Sequence, residues 1–248
     1  MTQPEKVPSL AHFLEEGYQI VKFDGTARLV VDNTDSIHAA IIPCPEALAK
    51  ANLNGAFVEA MNDAQTDLDF SASNTTTVDD CNRGNFQTIT TGISHGGGQK
   101  EPQNLNLTPK NSLALSTLSG SSAIRAIAWW QSKCYQAWMP RFYAYNANII
   151  ERLKSWKPTL LQNFASSIYG SVTYNFGPSV LCDFHTDHLN WIAGMCAITS
   201  GGNYNYQEGG HLALREFKLI LEFPPCATIL ISSAMVTHGN LPIAAGES

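Results

Sequence analysis

The chain has 248 residues, 44% of them hydrophobic and 15% charged, which supplies a sizeable core and excludes a disordered chain. A formal net charge of -6, with no run of Lys and Arg, gives no support for nucleic acid as a partner of the chain as a whole. No apolar run reaches the roughly 18 residues of a membrane span. Met1-Thr-Gln-Pro-Glu-Lys-Val-Pro8 lacks the apolar stretch of a signal peptide. The six cysteines (Cys44, Cys81, Cys134, Cys182, Cys196, Cys226) are scattered and form no C-x-x-C pair. That pattern fits reduced thiols in an intracellular protein better than a disulfide framework or a cysteine zinc site.

In chain order, residues 1–17 read as a lead-in with a helical turn at Leu10–Glu16. Tyr18–Phe23, Arg28–Asp32 and Ile37–Ile42 read as short strands parted by turns such as Asp24-Gly25. Glu46–Met61 reads as one Ala- and Leu-rich helix, with Pro45 suited to its first turn. Residues 63–112 are polar, and a strand is expected within Arg83–Thr91. Ser94-His95-Gly96-Gly97-Gly98-Gln99 lacks the G-K-[ST] ending of a phosphate loop and reads as a surface loop.

From Ser119 to Trp156 aromatic residues recur at three- and four-residue steps, the pattern of helices packing on a sheet, with a break expected at Pro140. Pro158–Ile168 reads as a short helix. From Gly170 onward Ser171–Asn175, His185–Asp187, Trp191–Ile198, His211–Ala213, Lys218–Phe223 and Thr228–Ser232 read as strands separated by Gly and Pro turns. The expected fold is α+β with a mainly β core, a jelly roll or sandwich floored by a helical layer. One domain is expected over residues 1–248, with 18–169 as N-terminal strands, polar loop and helical support, and 170–248 as an incomplete jelly-roll core.

The chemistry-bearing residues are His185-Thr186-Asp187 and, 51 residues after the Asp, His238. Residues two apart on a strand face one side, so His185 and Asp187 are expected to point together, with His238 arriving from a second strand. Two imidazoles and one carboxylate make a three-ligand face that leaves neighbouring positions open, the arrangement of non-haem Fe(II) oxygenases. With seven His in the chain, one H-x-D pair is weak by itself. A metal-free fold with structural histidines stays an equal alternative by pattern alone.

At these residues the chain resembles a known family. His185-Thr-Asp187-His-Leu-Asn190, Gly209-Gly210-His-Leu-Ala-Leu, Leu221-Glu-Phe-Pro-Pro and Ser232-Ser-Ala-Met-Val-Thr-His238-Gly-Asn are similar to the 2-oxoglutarate/Fe(II) dioxygenases of the TET and base-J-binding-protein superfamily. The likeness is to its fungal branch, which also carries segments similar to Asn82-Arg83-Gly84-Asn85-Phe86, Gly92–Gln99 and Tyr174-Asn-Phe-Gly-Pro178. It covers most of residues 18–248.

The resemblance implies a double-stranded β-helix of the jelly-roll or cupin-like kind, with His185, Asp187 and His238 as catalytic residues on Fe(II). It implies 2-oxoglutarate as co-substrate, turned over with O2 to succinate and CO2, and hydroxylation of a substrate carbon such as that of a 5-methylpyrimidine in nucleic acid. Asn190 matches an Asn that touches the target base, and Tyr174 and Asn175 are expected to face the 2-oxoglutarate. The Gly-rich segment Gly96–Gly98 is expected near the mouth of the site as a lid.

One feature departs from the family pattern. Family members anchor the far carboxylate of 2-oxoglutarate with an Arg after the last His, because a planar guanidinium pairs bidentately with a carboxylate. After His238 the sequence reads Gly-Asn-Leu-Pro-Ile-Ala-Ala-Gly-Glu-Ser, and Arg215 or Lys218 substitutes only on a rearranged sheet. The expectation is a C-terminally truncated member, and the alternative to an active oxygenase is a catalytically impaired relic acting as a binding module. A cupin-like barrel using another metal is a third reading, which the Asp in the triad disfavours. The expected location is inside the cell, in the nucleus if the substrate is DNA.

Overall fold

A computed structural model of the chain describes residues 9–71, 86–96 and 98–248. Asn82–Asn85, Cys81 and Gly97 lie outside the described residues. The first half opens with helix α1 (Leu10–Glu15), then strands β1 (Gln19–Val21), β2 (Arg28–Val31) and β3 (Ile37–Ile42). Helices α2 (Glu46–Lys50) and α3 (Leu53–Asp67) follow, then β4 (Gln87–Ser94), β5 (Gln103–Asn104) and three helices, α4 (Pro109–Gly120), α5 (Ser122–Trp138) and α6 (Pro140–Trp156). The second half consists of short strands: β6 (Ser171–Phe176), β7 (Cys196–Thr199), β8 (Leu212–Leu214), β9 (Leu219–Leu221), β10 (Thr228–Ile231) and β11 (His238–Asn240).

Two four-stranded sheets, ordered β1-β9-β8-β11 and β2-β3-β10-β7, face each other, and β5-β4-β6 forms a third sheet. All pairings are antiparallel except β1 with β9. Alternation along the strands builds the layers. Ile229 and Ile231 of β10 and Ala39 and Ile41 of β3 meet Leu212, Leu214 and Leu221 of the opposite sheet in one core. The intervening Leu230, Ala40 and Ile42 turn the other way and pack on Cys134 and Tyr135 of α5. Ala213 and Ile220 face outward from the first sheet, under Phe13 of α1. β10 is thus buried on both faces, which is why Ile229–Ile231 is a continuous apolar run rather than an alternating one. The fold is α+β with a mainly β core, as expected. The sheets stack as a jelly-roll sandwich without closing into a barrel.

Several element boundaries differ from the sequence expectation. The single helix expected over Glu46–Met61 is two, because Asn52 adopts a left-handed backbone (φ 55) between them and its side chain accepts from the Gly55 N–H. Helix α4 begins inside the polar stretch 63–112 and runs on to Gly120; Thr108 caps it by accepting from Asn111 N–H, with Pro109 opening the first turn. The aromatic stretch divides at Pro140, as expected, into α5 and α6. No helix forms over Pro158–Ile168. Trp191–Gly194 is a turn, and its strand starts only at Cys196.

His211 and Glu222 are buried on the outward side of the first sheet, at 0% and 4% exposure, extending the pairing Leu212↔Leu221 by one step. Glu222 accepts from Phe23 N–H at 2.7 Å. Neither ring nitrogen of His211 has a hydrogen-bond partner among the described residues. Burial lowers the pKa of His211 and the Glu222 carboxylate opposes this, with burial the larger effect.

Two outcomes follow from this packing. Ile229→Ala should cost about 2–5 kcal/mol of unfolding free energy, read from a urea denaturation midpoint. The unfolded chain protonates His211 near its ordinary value of about 6.5, while the folded chain resists. Stability should therefore be full above about pH 6.5 and fall as the pH drops below it, and His211→Leu should flatten that fall in urea titrations run across pH.

Candidate metal centre

The site is built where the chain, after β6, runs back along β11. Asn240 fastens that return: its side-chain carbonyl accepts from Cys182 N–H at 2.6 Å, and its side-chain amide donates to Val180 O at 2.7 Å. Gly239 lets the two backbones approach, since a Cβ there would meet the Cys182 carbonyl oxygen at 3.0 Å and the Phe184 nitrogen at 3.1 Å. One step further His185 and His238 exchange both backbone hydrogen bonds, His185 N–H to His238 O at 3.0 Å and His238 N–H to His185 O at 2.9 Å. Directly opposed residues of an antiparallel pair share a face. The two rings accordingly lie 4.5 Å apart between centroids. His238 is in turn opposed to the inward-facing Leu214, so both imidazoles are directed into the sandwich.

His185–Asp187 is not the regular strand expected. His185 makes an isolated bridge, and then the chain turns, with Asp187 N–H bonded to Ser233 O and Asn190 N–H to Asp187 O. The carboxylate is brought to the imidazoles by this turn and by the anchor on Ser233, not by strand alternation. One ligand-type atom from each of His185, Asp187 and His238 lies within 4.8 Å of the others. His185 Nε2 is 3.7 Å from Asp187 Oδ1.

Each imidazole is held from its far side. His185 Nδ1 lies 2.7 Å from Asp183 O, and His238 Nδ1 lies 2.9 Å from Val236 O. A carbonyl oxygen only accepts, so both Nδ1 atoms carry the proton and both Nε2 lone pairs face the shared space. His238 is 4% exposed, and burial lowers its pKa, with His185 adding in the same direction against its bond to Val236 O and the Asp187 carboxylate. The ring is therefore kept neutral, the form that ligates a metal. The other carboxylate oxygen, Asp187 Oδ2, accepts from Asn190 Nδ2 at 3.3 Å, and that amide also reaches Ser233 Oγ at 3.0 Å and Cys196 Sγ at 3.2 Å. The Cys196 thiol lies 4.0 Å from Asp187 Oδ2 and its pKa is pushed up to about 11, chiefly by burial and then by that carboxylate. These donors fit a divalent transition metal: two preset Nε2 atoms and one free carboxylate oxygen, with a second sphere fixing all three.

Of the residues singled out in the sequence, His185, Asp187, His238 and Asn190 come together. Tyr174 and Asn175 lie on β6 with other partners. Tyr174 is buried among α3–α5, its hydroxyl 3.1 Å from Ser119 Oγ, and Asn175 faces the opposite way and accepts from Thr88 Oγ1 at 2.9 Å. Arg215 stacks its guanidinium 4.4 Å from the Phe184 ring, and Lys218 donates to Glu16 O at 2.8 Å. Gly96 of the Gly-rich segment approaches Leu189 in the turn after Asp187. Ser233, Cys196 and Asn240 were not foreseen as parts of the site. The Asn after His238-Gly239 was the one visible sign of the clamp on the returning chain.

The fold matches a solved structure, that of NgTET1 in complex with 5mC DNA, with a TM-score of 0.56 at 15% sequence identity, over 92% of this chain and 78% of that one. The chain shares the fold of that structure. No family model and no curated protein matches the sequence.

Asn190→Ala removes the amide that orients Asp187. It should weaken Fe(II) or Co(II) binding by about 10-fold or more, measured by anaerobic calorimetric titration, with the circular dichroism spectrum unchanged.

Proposed function

We propose that the chain is an Fe(II)- and 2-oxoglutarate-dependent dioxygenase that hydroxylates a substrate carbon, with a methylated pyrimidine in nucleic acid as the substrate class. The observation that carries this reading is the convergence of His185, Asp187 and His238 within 4.8 Å, with both imidazoles preset through Nδ1. The fold shared with NgTET1, solved with 5mC DNA, supports the chemistry and the substrate class.

In this reading His185 Nε2, a carboxylate oxygen of Asp187 and His238 Nε2 would hold Fe(II). Bound iron with 2-oxoglutarate supplies O2-dependent oxidation, releasing succinate and CO2 and leaving a hydroxyl group on the substrate. The Asp183 and Val236 carbonyls keep both imidazoles in the ligating tautomer. Asn190 holds Asp187 Oδ2, which leaves Oδ1 free to serve as a ligand, and its position beside the carboxylate suits contact with the substrate. Leu214, on the same face as His238, helps keep water from the interior side.

A second reading, a metal-binding fold without turnover, is favoured by the placement of the described Arg residues. Arg28 is paired with Asp24, Arg215 lies on Phe184, and Arg125, Arg141 and Arg152 are carried on α5 and α6. None of them is among the charged groups acting on His238.

Anaerobic titration with Fe(II), then with 2-oxoglutarate, separates the readings. The enzyme reading expects a visible charge-transfer band that requires both additions, and succinate release once O2 is admitted. His185→Ala, Asp187→Ala and His238→Ala should each abolish the band. A band that survives all three changes would refute the ligand set, and iron binding without succinate would select the second reading.

A further inference from the structure

The charge of this chain is unevenly distributed. The whole sequence has 15 Lys and Arg against 21 Asp and Glu, yet between Ser122 and Lys157, the span of α5 and α6, six basic residues face one acid, Glu151. Lys157 is neutralised by Glu101. Arg141 and Arg152 make no ion pair among the described residues.

Helix α6 orients this charge. Its inner side, with Tyr143 and Ala147, packs on the core beneath the sandwich, and no residue of the helix is fully buried. At 3.6 residues per turn Arg141, Tyr145, Asn148, Arg152 and Trp156 fall on one line along the opposite side, about 22 Å long. All five are exposed, Tyr145 at 54% and Trp156 at 57%. Cationic and aromatic side chains therefore alternate along a solvent-facing stripe. Near its Arg141 end the stripe touches the segment that follows Asp187: Tyr145 stacks one face on Trp191 with centroids 5.1 Å apart, and Phe142 meets the edge of the same indole at 5.7 Å. Trp191 follows Asn190, which holds Asp187.

We propose that this stripe on α6 is a track for single-stranded nucleic acid that leads the strand to the His185–Asp187–His238 centre. The proposal rests on the nucleic-acid reading of that centre and deepens it. Two chemistries on one line select the occupant. Unpaired guanidinium groups contact phosphates, and exposed aromatic rings stack on bases, which are accessible only when unpaired. An acidic peptide would use the Arg residues but leave the aromatic rings idle, and an apolar protein surface would leave the Arg residues buried without partners. The net charge of the whole chain hides the track, because its acids lie elsewhere.

The test is fluorescence anisotropy of a labelled oligothymidylate of about 20 nucleotides, titrated with the full chain without iron or 2-oxoglutarate. Saturable binding is expected, tighter than for a duplex or an abasic strand of the same length. Arg141→Gln with Arg152→Gln should weaken it about 10-fold or more and lower the slope of log K against log salt by roughly 1.4. Tyr145→Ala with Trp156→Ala should weaken it by a similar factor while leaving the salt slope in place. All four side chains are exposed, and unchanged Fe(II) affinity reports that the variants fold. Equal affinity for the abasic strand or the duplex overturns the proposal. So does binding indifferent to these substitutions, or a dimer that Arg141→Gln dissociates. An unmodified chain that binds iron but not the strand refutes the track alone. Strand binding without any iron binding refutes the enzyme reading alone.

Discussion

The paired backbone hydrogen bonds between His185 and His238 are the constraint on which the site depends. They bring together two residues far apart in the chain and, because opposed residues in an antiparallel pair share a face, they direct both rings into the same space. Everything nearby serves that bridge. Gly239 allows the strands to close, Asn240 fastens the returning chain, and the pairing of β11 with β8 fixes which way the rings point. The carboxylate is added by a separate device, the turn from Asp187 to Asn190 anchored on Ser233.

The layered fold gives the bridge its rigidity. β10 is packed on both faces, against the opposite sheet through Ile229 and Ile231 and against α5 through Leu230, so the middle of the sandwich cannot shift without opening two cores. The site lies at the edge of that rigid block, with an anchored imidazole, His238, almost fully buried and the carboxylate more open. A metal held there would be fixed by buried groups on one side and reachable by a substrate on the other. Trp191, just after the Asp187–Asn190 turn, packs against Tyr145 and Phe142, where the helical layer and the site turn meet.

Legibility differed by element for physical reasons. Strands buried on one or both faces were visible as Val- and Ile-rich runs, and all the expected strands of the second half except His185–Asp187 have a counterpart in the structure. Helix α4 was hidden because its polar outer face and Asn- and Ser-rich start resemble a loop, and the division at Asn52 depends on one left-handed residue. The three ligand-type residues were legible from their chemistry and spacing. Tyr174 was read toward the site, but strand alternation in β6 turns it to the helices, a direction set by the register with β4.

By itself the sequence determined the α+β character, the mainly β core and the identity of the two imidazoles and one carboxylate, because hydrophobic period and ligand chemistry are local properties of the chain. Tertiary structure alone decided that a bridge and a turn, rather than a strand, gather those groups. It also decided which ring nitrogens stay free, and that Arg141, Tyr145, Arg152 and Trp156 line one exposed face whose Tyr145 packs on Trp191. Those outcomes depend on register, on carbonyls supplied by neighbouring segments and on which side of a helix is covered, and each is settled by contacts between residues distant in the chain.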